Sequence, residues 1–184
     1  MPLATSRRHW LLLLAALPLP GRAGFNFFTG EYTASRAELQ ALVERQFPLE
    51  QRYAEIISVR LHAPTLGLDA SAQRSTLAAK LSIASPWLRN GAIDGALAMS
   101  SALRWDAPGR ALRLDRPAVE RLDLQGLVGG DVDRLRRIVI TVAQDLLQGQ
   151  ALRTFTKEEM TFGLKTYDIG AITVLDDGIK VQLQ

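Results

Sequence analysis

Residues 92–105, AIDGALAMSSALRW, are predicted to form one long strand, and residues 111–124, ALRLDRPAVERLDL, its return. Bulky and small side chains alternate along the first segment, which is typical of a strand with one buried face. The four residues DAPG at 106–109 have the composition of a turn. Because strands joined by so short a turn pair antiparallel, this stretch predicts a long antiparallel hairpin at the centre of the fold.

The two faces of the first strand differ in the size of their side chains. The bulky face includes Leu97, Met99 and Leu103, and the other face includes Ala96 and Ala98. Short side chains allow a helix to pack closely, and they also leave volume for an acyl chain where no helix covers them. Both alternatives stay open at this point.

The strongest predicted helix runs from Asp131 to Gln148. Val139 and Val142 lie on its apolar stripe, together with Leu135 and Leu146, and the stripe is widened by Ile138, Ala143 and Leu147. At 1.5 Å per residue the helix would be about 25 Å long, close to the width of a small domain. We expect this stripe to pack against the sheet.

A shorter amphipathic helix is predicted before the strands. Ser35 and Glu38 have the spacing of a capping box, and Pro48 ends the segment. Alternating segments at 57–61 and 77–83 predict further strands. A final hairpin is predicted around the turn at 176–178, DDG. Periodicity alone therefore predicts one α+β domain.

The first 23 residues have the pattern of a cleavable signal peptide. Arg7 and Arg8 precede an apolar run at 10–19, and small residues lead up to Ala23. We expect cleavage between Ala23 and Gly24, which leaves residues 24–184 as a single exported domain in the periplasm. General secretion and twin-arginine export both fit this pattern.

Charge and cysteine content exclude several classes of function. The full chain has a net charge of +3, but the signal peptide holds three of the 22 basic residues and no acid, so the mature chain is neutral. A neutral chain lacks the basic surface that nucleic-acid binding requires, and we expect no such partner. The chain has no cysteine, so it has no lipoprotein anchor, disulfide or thiolate metal site.

No residue pattern predicts an enzyme. His62 is the only histidine of the mature chain, and it alternates with apolar residues on a predicted strand without a nucleophile motif nearby. Asp176 and Asp177 lack the spacing of a calcium loop and are typical turn residues. We therefore expect no catalytic residue, no metal and no cofactor.

Two surface features leave alternatives open. Arg134, Arg136 and Arg137 form a basic cluster, which either pairs with Asp131 and Asp133 on the helix surface or contacts lipid headgroups. The apolar residues at 87–88 and 25–28 either fold onto the core or contact a membrane or partner.

The order of these elements resembles the YceB-like family of bacterial envelope lipoproteins. The resemblance rests on YT at 32–33 before the capping box, the long hairpin, the helix after Gly130, and TFT at 154–156 leading to IGAITV at 169–174. It implies an architecture similar to that of tubular lipid-binding proteins. In that architecture a strongly curved antiparallel sheet wraps one long helix, here after a short N-terminal helix, and leaves an apolar groove.

The expected function is non-catalytic binding of a lipid or other apolar molecule, for carriage or envelope maintenance. The groove wall would then include Leu97, Met99 and Leu103 from the strand and Val139 and Val142 from the helix. The alternative is an envelope protein–protein interaction module with a filled core and no ligand. A membrane surface is a further candidate partner, and the sequence does not determine the oligomeric state.

Overall fold

The computed structural model describes residues 24–26, 30–86, 88, 91–125, 131–162 and 164–184. The predicted signal peptide, residues 1–23, lies outside the described residues. The helices and strands are β1 (Gly24–Asn26), β2 (Glu31–Ser35), α1 (Arg36–Gln46), β3 (Leu49–Tyr53), β4 (Ile57–Asp69), β5 (Arg74–Ala84), β6 (Ala92–Asp106), β7 (Ala111–Leu124), α2 (Asp131–Leu147), β8 (Ala151–Thr154), β9 (Thr161–Phe162), β10 (Lys165–Thr166), β11 (Ile169–Val174) and β12 (Gly178–Leu183).

The strands form antiparallel sheets, as the sequence predicts. The larger sheet has six strands in the order β3-β4-β5-β6-β7-β8, so its strands follow the chain. A second sheet has the order β1-β2-β12-β11 and joins the two ends of the described chain. The long central hairpin is confirmed as β6 and β7, which pair over most of their length.

The predicted α+β fold with a sheet wrapped around one long helix is wrong. Strands make up 57% of the structure and helices 19%, so the fold is mainly β. The second helix, α2, has 17 residues and packs against β7 and the edge strand β3, and the sheet does not wrap it. The six-stranded sheet curls into a half-barrel whose inner face provides most of the core.

Register shifts in the ladders provide the physical reason for the curl. The pairing slips between His62 and Thr65 in β4 and twice along β6, between Ala98 and Met99 and beyond Ser100. Each shift is a bulge or similar irregularity, and bulges bend a strand and increase its twist. A sheet bent in this way buries much of its inner apolar face against itself. The core therefore forms without a long central helix.

The capping box that the sequence predicts at the start of α1 is confirmed. The Glu38 amide donates to the Ser35 hydroxyl oxygen at 3.3 Å, and the Ser35 amide donates to the Glu38 carboxylate at 3.0 Å. These bonds satisfy two donors at the helix end and orient α1 toward the sheet. The buried side chains of α1 are Leu39 and Val43.

Substitution of the cap should destabilise the protein measurably. We expect Ser35→Ala to lower the free energy of unfolding by about 0.5–2 kcal/mol, as loss of a helix cap does. Ser71→Ala, which removes only an exposed hydrogen bond to Asp69, is the control and should cost less. Urea denaturation followed by circular dichroism would measure both, and equal losses would show that the box contributes nothing specific.

The buried face of α2 is rotated relative to the predicted stripe. Val139 and Val142 are fully buried as expected, but Leu147 is also buried while Leu135 and Leu146 are only half-buried. The helix lies against β7 on one side and the edge strand β3 on the other. This position across the opening of the half-barrel places Leu147 toward the sheet.

Candidate functional site

An apolar cleft lies between α1, α2 and the inner face of the curled sheet. Val43 and Phe47 line it from α1 and its end, Leu147 from α2, and Leu77 and Met99 from the sheet. None of the described lining residues has an ionisable side chain. We call this feature the apolar cleft.

Hydrogen bonds from Gln40 hold α1 over the sheet on one side of the apolar cleft. The Leu66 amide donates to Gln40 Oε1 at 2.7 Å, and Gln40 Nε2 donates to the Pro64 carbonyl at 2.9 Å. These groups follow the register shift after His62, where the ladder between β4 and β5 is interrupted. The glutamine therefore satisfies backbone groups near the bulge and fixes the helix at the same point.

The C-terminal end of α2 is tied closely to β7. The Gly149 amide donates to the Leu114 carbonyl at 3.0 Å, and the Leu114 amide donates to the Gln150 carbonyl at 2.9 Å. Arg113 adds a bond from Nη1 to the Gly149 carbonyl at 2.8 Å, while its Nε donates to Asp106 at 2.6 Å. The hydrogen bond from Arg113 also lowers the pKa of the Asp106 carboxyl.

The rest of α2 makes fewer polar contacts with the sheet. Gln144 Nε2 donates to the Pro117 carbonyl and Arg136 Nη2 to the Leu122 carbonyl, each at 3.2 Å. Apolar packing of side chains such as Val139 therefore holds most of this helix. The attachment of α2 is strongest after its last turn and is mainly hydrophobic before it.

Three buried serines, Ser75, Ser100 and Ser101, line the apolar cleft, and the Ser100 hydroxyl donates to the Glu120 carboxylate at 2.6 Å. The Ser75 hydroxyl donates to the Ser101 carbonyl at 3.3 Å, and the Ser101 hydroxyl donates to the Asp115 carbonyl at 2.9 Å. Both residues are buried, and backbone carbonyls accept their hydroxyl protons. The Ser75 bond links β5 to β6, the Ser101 bond satisfies a carbonyl beside the register shift between β6 and β7, and neither hydroxyl adds charge to the apolar cleft.

The apolar cleft is nearly filled in this conformation. Its cavity volume is about 30 Å³. A cavity needs roughly 10–15 Å³ to hold one water, whereas a cavity of about 150 Å³ holds benzene. The expected open groove is therefore not present among the described residues, and an acyl chain would require the helices to move.

The five predicted groove residues lie in two environments. Met99 lines the apolar cleft, whereas Leu97, Val139 and Val142 are buried in the packed core and Leu103 is half-buried against it. A role for any of them in ligand binding stays a prediction. The neighbouring small side chains, including Ala98, line a shallow depression on the opposite face of the sheet.

His62 is the first of three hydrogen-bonded side chains, and their order does not match that of a nucleophilic triad. Its Nε2 lies 3.3 Å from the Ser82 hydroxyl, which donates to Asp94 at 2.8 Å. The serine and not the histidine contacts the carboxylate, so the order of these side chains differs from that of a Ser-His-Asp triad. The arrangement links three strands on the outer face of the sheet.

An aromatic cluster joins the two larger sheets. The ring of Phe155 makes edge contacts with Tyr32 at 5.4 Å and Trp105 at 5.9 Å between centroids. The Arg153 guanidinium lies over both Tyr32 and Phe155 and pairs with Glu159 at 2.7 Å. Burial raises the pKa of the Tyr32 phenol, and the positive charge of Arg153 opposes that shift. Sequence reasoning did not identify this cluster, because its members are distant along the chain.

The basic cluster of α2 does not form the expected ion pair with Asp133. Arg134, Arg136 and Arg137 are exposed, and no Asp133–Arg137 ion pair is found between these two described side chains. The i, i+4 spacing brings the two side chains to the same helix face, but an ion pair exposed to solvent contributes little to stability. The side chain of Asp131 lies outside the described residues.

Other sequence predictions fall partly outside the described residues. Leu88 packs against the core, whereas Trp87 and the side chains at 25–28 are not described. No group of three or more histidine, aspartate or glutamate residues that could hold a metal occurs in the described chain. None of the described helices has the length and apolarity needed to cross a membrane.

Comparisons with known proteins add no family assignment. No protein-family model matches this chain, and a search of curated proteins found no match.

Proposed function

We propose that this chain is a non-catalytic protein of the bacterial periplasm that binds an acyl chain or similar apolar molecule in the apolar cleft. The supporting observation is the lining, which joins both helices and the curled sheet without an ionisable side chain. Burial of apolar area would supply the affinity, at about 0.8 kcal/mol per methylene removed from water.

An acyl chain needs more room than the apolar cleft provides, and we expect it to extend from the cleft beneath α2 when the N-terminal part of α2 moves away from β3. The helix is anchored by backbone hydrogen bonds near Gly149, which has a φ of 76° and can serve as a pivot. Before that point the movement breaks two longer side-chain bonds, from Arg136 and Gln144. It also exposes Val139 and Val142, and the bound chain would replace their lost apolar contacts.

A fluorescent fatty-acid probe tests this function. We expect saturable binding of one probe per exported protein, with an increase in emission as the probe leaves water. The result that would overturn the proposal is the absence of saturable uptake by folded protein, both for the fatty-acid probe and for an uncharged apolar dye. An excess of unlabelled fatty alcohol should displace the probe, which separates specific binding from surface adsorption.

The filled interior favours a second candidate, an envelope interaction module without a ligand. A cavity of about 30 Å³ is what a fully packed core would contain. In the described residues the exposed large apolar side chains are Tyr53 and Leu164, and a protein partner would contact such positions. This candidate predicts no probe uptake and a stable complex with another envelope protein.

Export and processing are part of the proposed function and have their own test. We expect periplasmic protein to begin at Gly24 or within a few residues of it, because the residues before it fit the specificity of a signal peptidase. N-terminal sequencing of the exported material would measure this directly. A membrane-bound product that retains Met1 would contradict cleavage and indicate a retained anchor.

A further inference from the structure

The edge strand β3 offers backbone groups that no described residue occupies. It is the first strand of the six-stranded sheet and pairs only with β4. Apart from that ladder, one backbone bond reaches β3 in the described chain, from the Ile56 amide to the Tyr53 carbonyl in the adjoining turn. Four of its five residues are exposed, so the packing of α2 against this strand leaves most of it accessible. Such an edge is a template for another strand.

The side chains of β3 alternate between the two faces of the sheet. Leu49, Gln51 and Tyr53 pair with residues of β4 that face the core, whereas Glu50 and Arg52 lie on the outer face. Tyr53 is 44% exposed, which makes it one of the exposed large apolar side chains of the described surface. The edge therefore combines an exposed ring on one face with two opposite charges on the other.

The two charged side chains of β3 differ in their contacts. Glu50 accepts a hydrogen bond from the Ser58 hydroxyl at 2.8 Å, which fixes its carboxylate on the outer face. No hydrogen bond or ion pair of the Arg52 side chain is found within the described residues. The guanidinium is therefore available to a carboxylate brought by another strand.

We propose that β3 is a docking surface for a second copy of this chain, with the two β3 strands paired antiparallel about Gln51. In this register Glu50 lies opposite the partner's Arg52, and Leu49 lies opposite the partner's Tyr53. The two-fold axis places both charge pairs on the outer face and both Leu–Tyr pairs on the core-facing side. The Arg52 guanidinium then acquires a carboxylate partner, and the exposed Tyr53 ring acquires an apolar one.

The charges select this register over its neighbours. A shift of two residues in one direction places Arg52 opposite the partner's Arg52, and the opposite shift places Glu50 opposite the partner's Glu50. Charged residues on an edge commonly prevent pairing, and here they do so for these shifted arrangements. Pro48 before the strand and the turn after Tyr53 limit the pairing to five residues.

The contact is small, so the expected dimer is weak. Stable interfaces bury about 1,200–2,000 Å² in total, and two five-residue strands provide less than that. Association should therefore appear only as the protein concentration rises. Leu49 also lines the apolar cleft, but Glu50 and Arg52 do not, so charge reversals at these two residues test the dimer separately from the proposed binding function.

Sedimentation equilibrium of the exported chain, at concentrations up to about 1 mM and low salt, tests the proposal. We expect a monomer–dimer equilibrium in the wild type. Glu50→Arg and Arg52→Glu each replace two attractive contacts by two repulsive ones, so each should raise the dissociation constant about ten-fold or more. The double variant Glu50→Arg/Arg52→Glu should restore association, because it recreates the complementary pairs with their signs exchanged.

Mixing the two single variants provides the sharpest result. Each is expected to be monomeric alone, but the mixture should form a heterodimer, because the two copies carry opposite charges at both positions. Lys80→Glu, an exposed charge reversal on β5, is the control and should leave association unchanged. A wild type that stays monomeric throughout, or a dimer that is insensitive to both charge reversals, would overturn the proposal.

Discussion

Leu147→Ala is expected to lower the free energy of unfolding by about 2–5 kcal/mol, the usual cost of removing a buried leucine side chain. Leu147 is 2% exposed and lies between α2 and the sheet, where it lines the apolar cleft. The neighbouring Leu146 is half-buried and does not line it. Leu146→Ala should therefore cost less, about 1 kcal/mol.

Urea denaturation of the two variants would measure this difference. Equal losses, or a larger loss for Leu146→Ala, would show that α2 presents a different face to the sheet. The substitution at Leu147 also enlarges the apolar cleft next to Met99. If an acyl chain binds there, we expect Leu147→Ala to retain probe binding and to gain stability when the probe is added, because a ligand stabilises the state that it binds.

Met99→Trp is expected to abolish uptake of the fatty-acid probe while the protein stays folded. Met99 is 2% exposed and its side chain lines the apolar cleft, which has a cavity volume of only about 30 Å³. The larger indole would occupy this space permanently and would cost about 1–3 kcal/mol of stability through overpacking. Ala98 is adjacent in the chain but lies on the opposite face of β6, so Ala98→Trp should bind the probe like the wild type.

Probe titration of the two variants, with thermal unfolding as a check that both are folded, distinguishes the outcomes. Loss of binding in Ala98→Trp alone would place the ligand in the shallow depression on the outer face. Unchanged binding in both variants would exclude both faces of β6 near this position. If Met99→Trp fails to fold, Ser75→Val fills the same cavity from β5 with a smaller increase in volume.

Features that depend on neighbouring residues could be predicted from the sequence. The capping box of α1 needs only Ser35 and Glu38, whose spacing places both groups within hydrogen-bonding distance once the helix forms. The hairpin of β6 and β7 is equally local, because alternation and a short turn determine it. Both were predicted with nearly the observed bounds.

The curl of the sheet depends on interactions that the sequence does not reveal. Pro64 and Pro117 lie at two of the register shifts and are typical of bulges in strands, but the shift after Ala98 carries no such residue, and the extent of the curl depends on the fit between neighbouring strands. The sheet that joins β2 to β12 pairs Tyr32 with Val181, and such long-range partners leave no periodic pattern. The prediction of a helix wrapped by the sheet failed because it was drawn from the resemblance and not from residues that determine curvature.

The apolar cleft could be predicted only in part. Met99 was expected to face an apolar groove, and it lines the cleft. Val43 and Phe47 reach the same site from α1, and their hydrophobic spacing in the sequence indicates only a buried helix face. Leu147, at the margin of the predicted apolar stripe, lines the cleft because the helix packs across β7 and β3 together. Such contacts follow from tertiary packing and not from helical periodicity.

Native mass spectrometry of the exported wild-type protein, purified without detergent, tests the central claim most directly. We expect a fraction of the protein to carry one non-covalent adduct with the mass of an acyl-chain lipid. Collisional activation should release the adduct, and it should be present in Ala98→Trp and absent from Met99→Trp. Wild-type protein that shows only its own mass, after export and after incubation with fatty acid or fatty alcohol, would contradict the account and favour the interaction module.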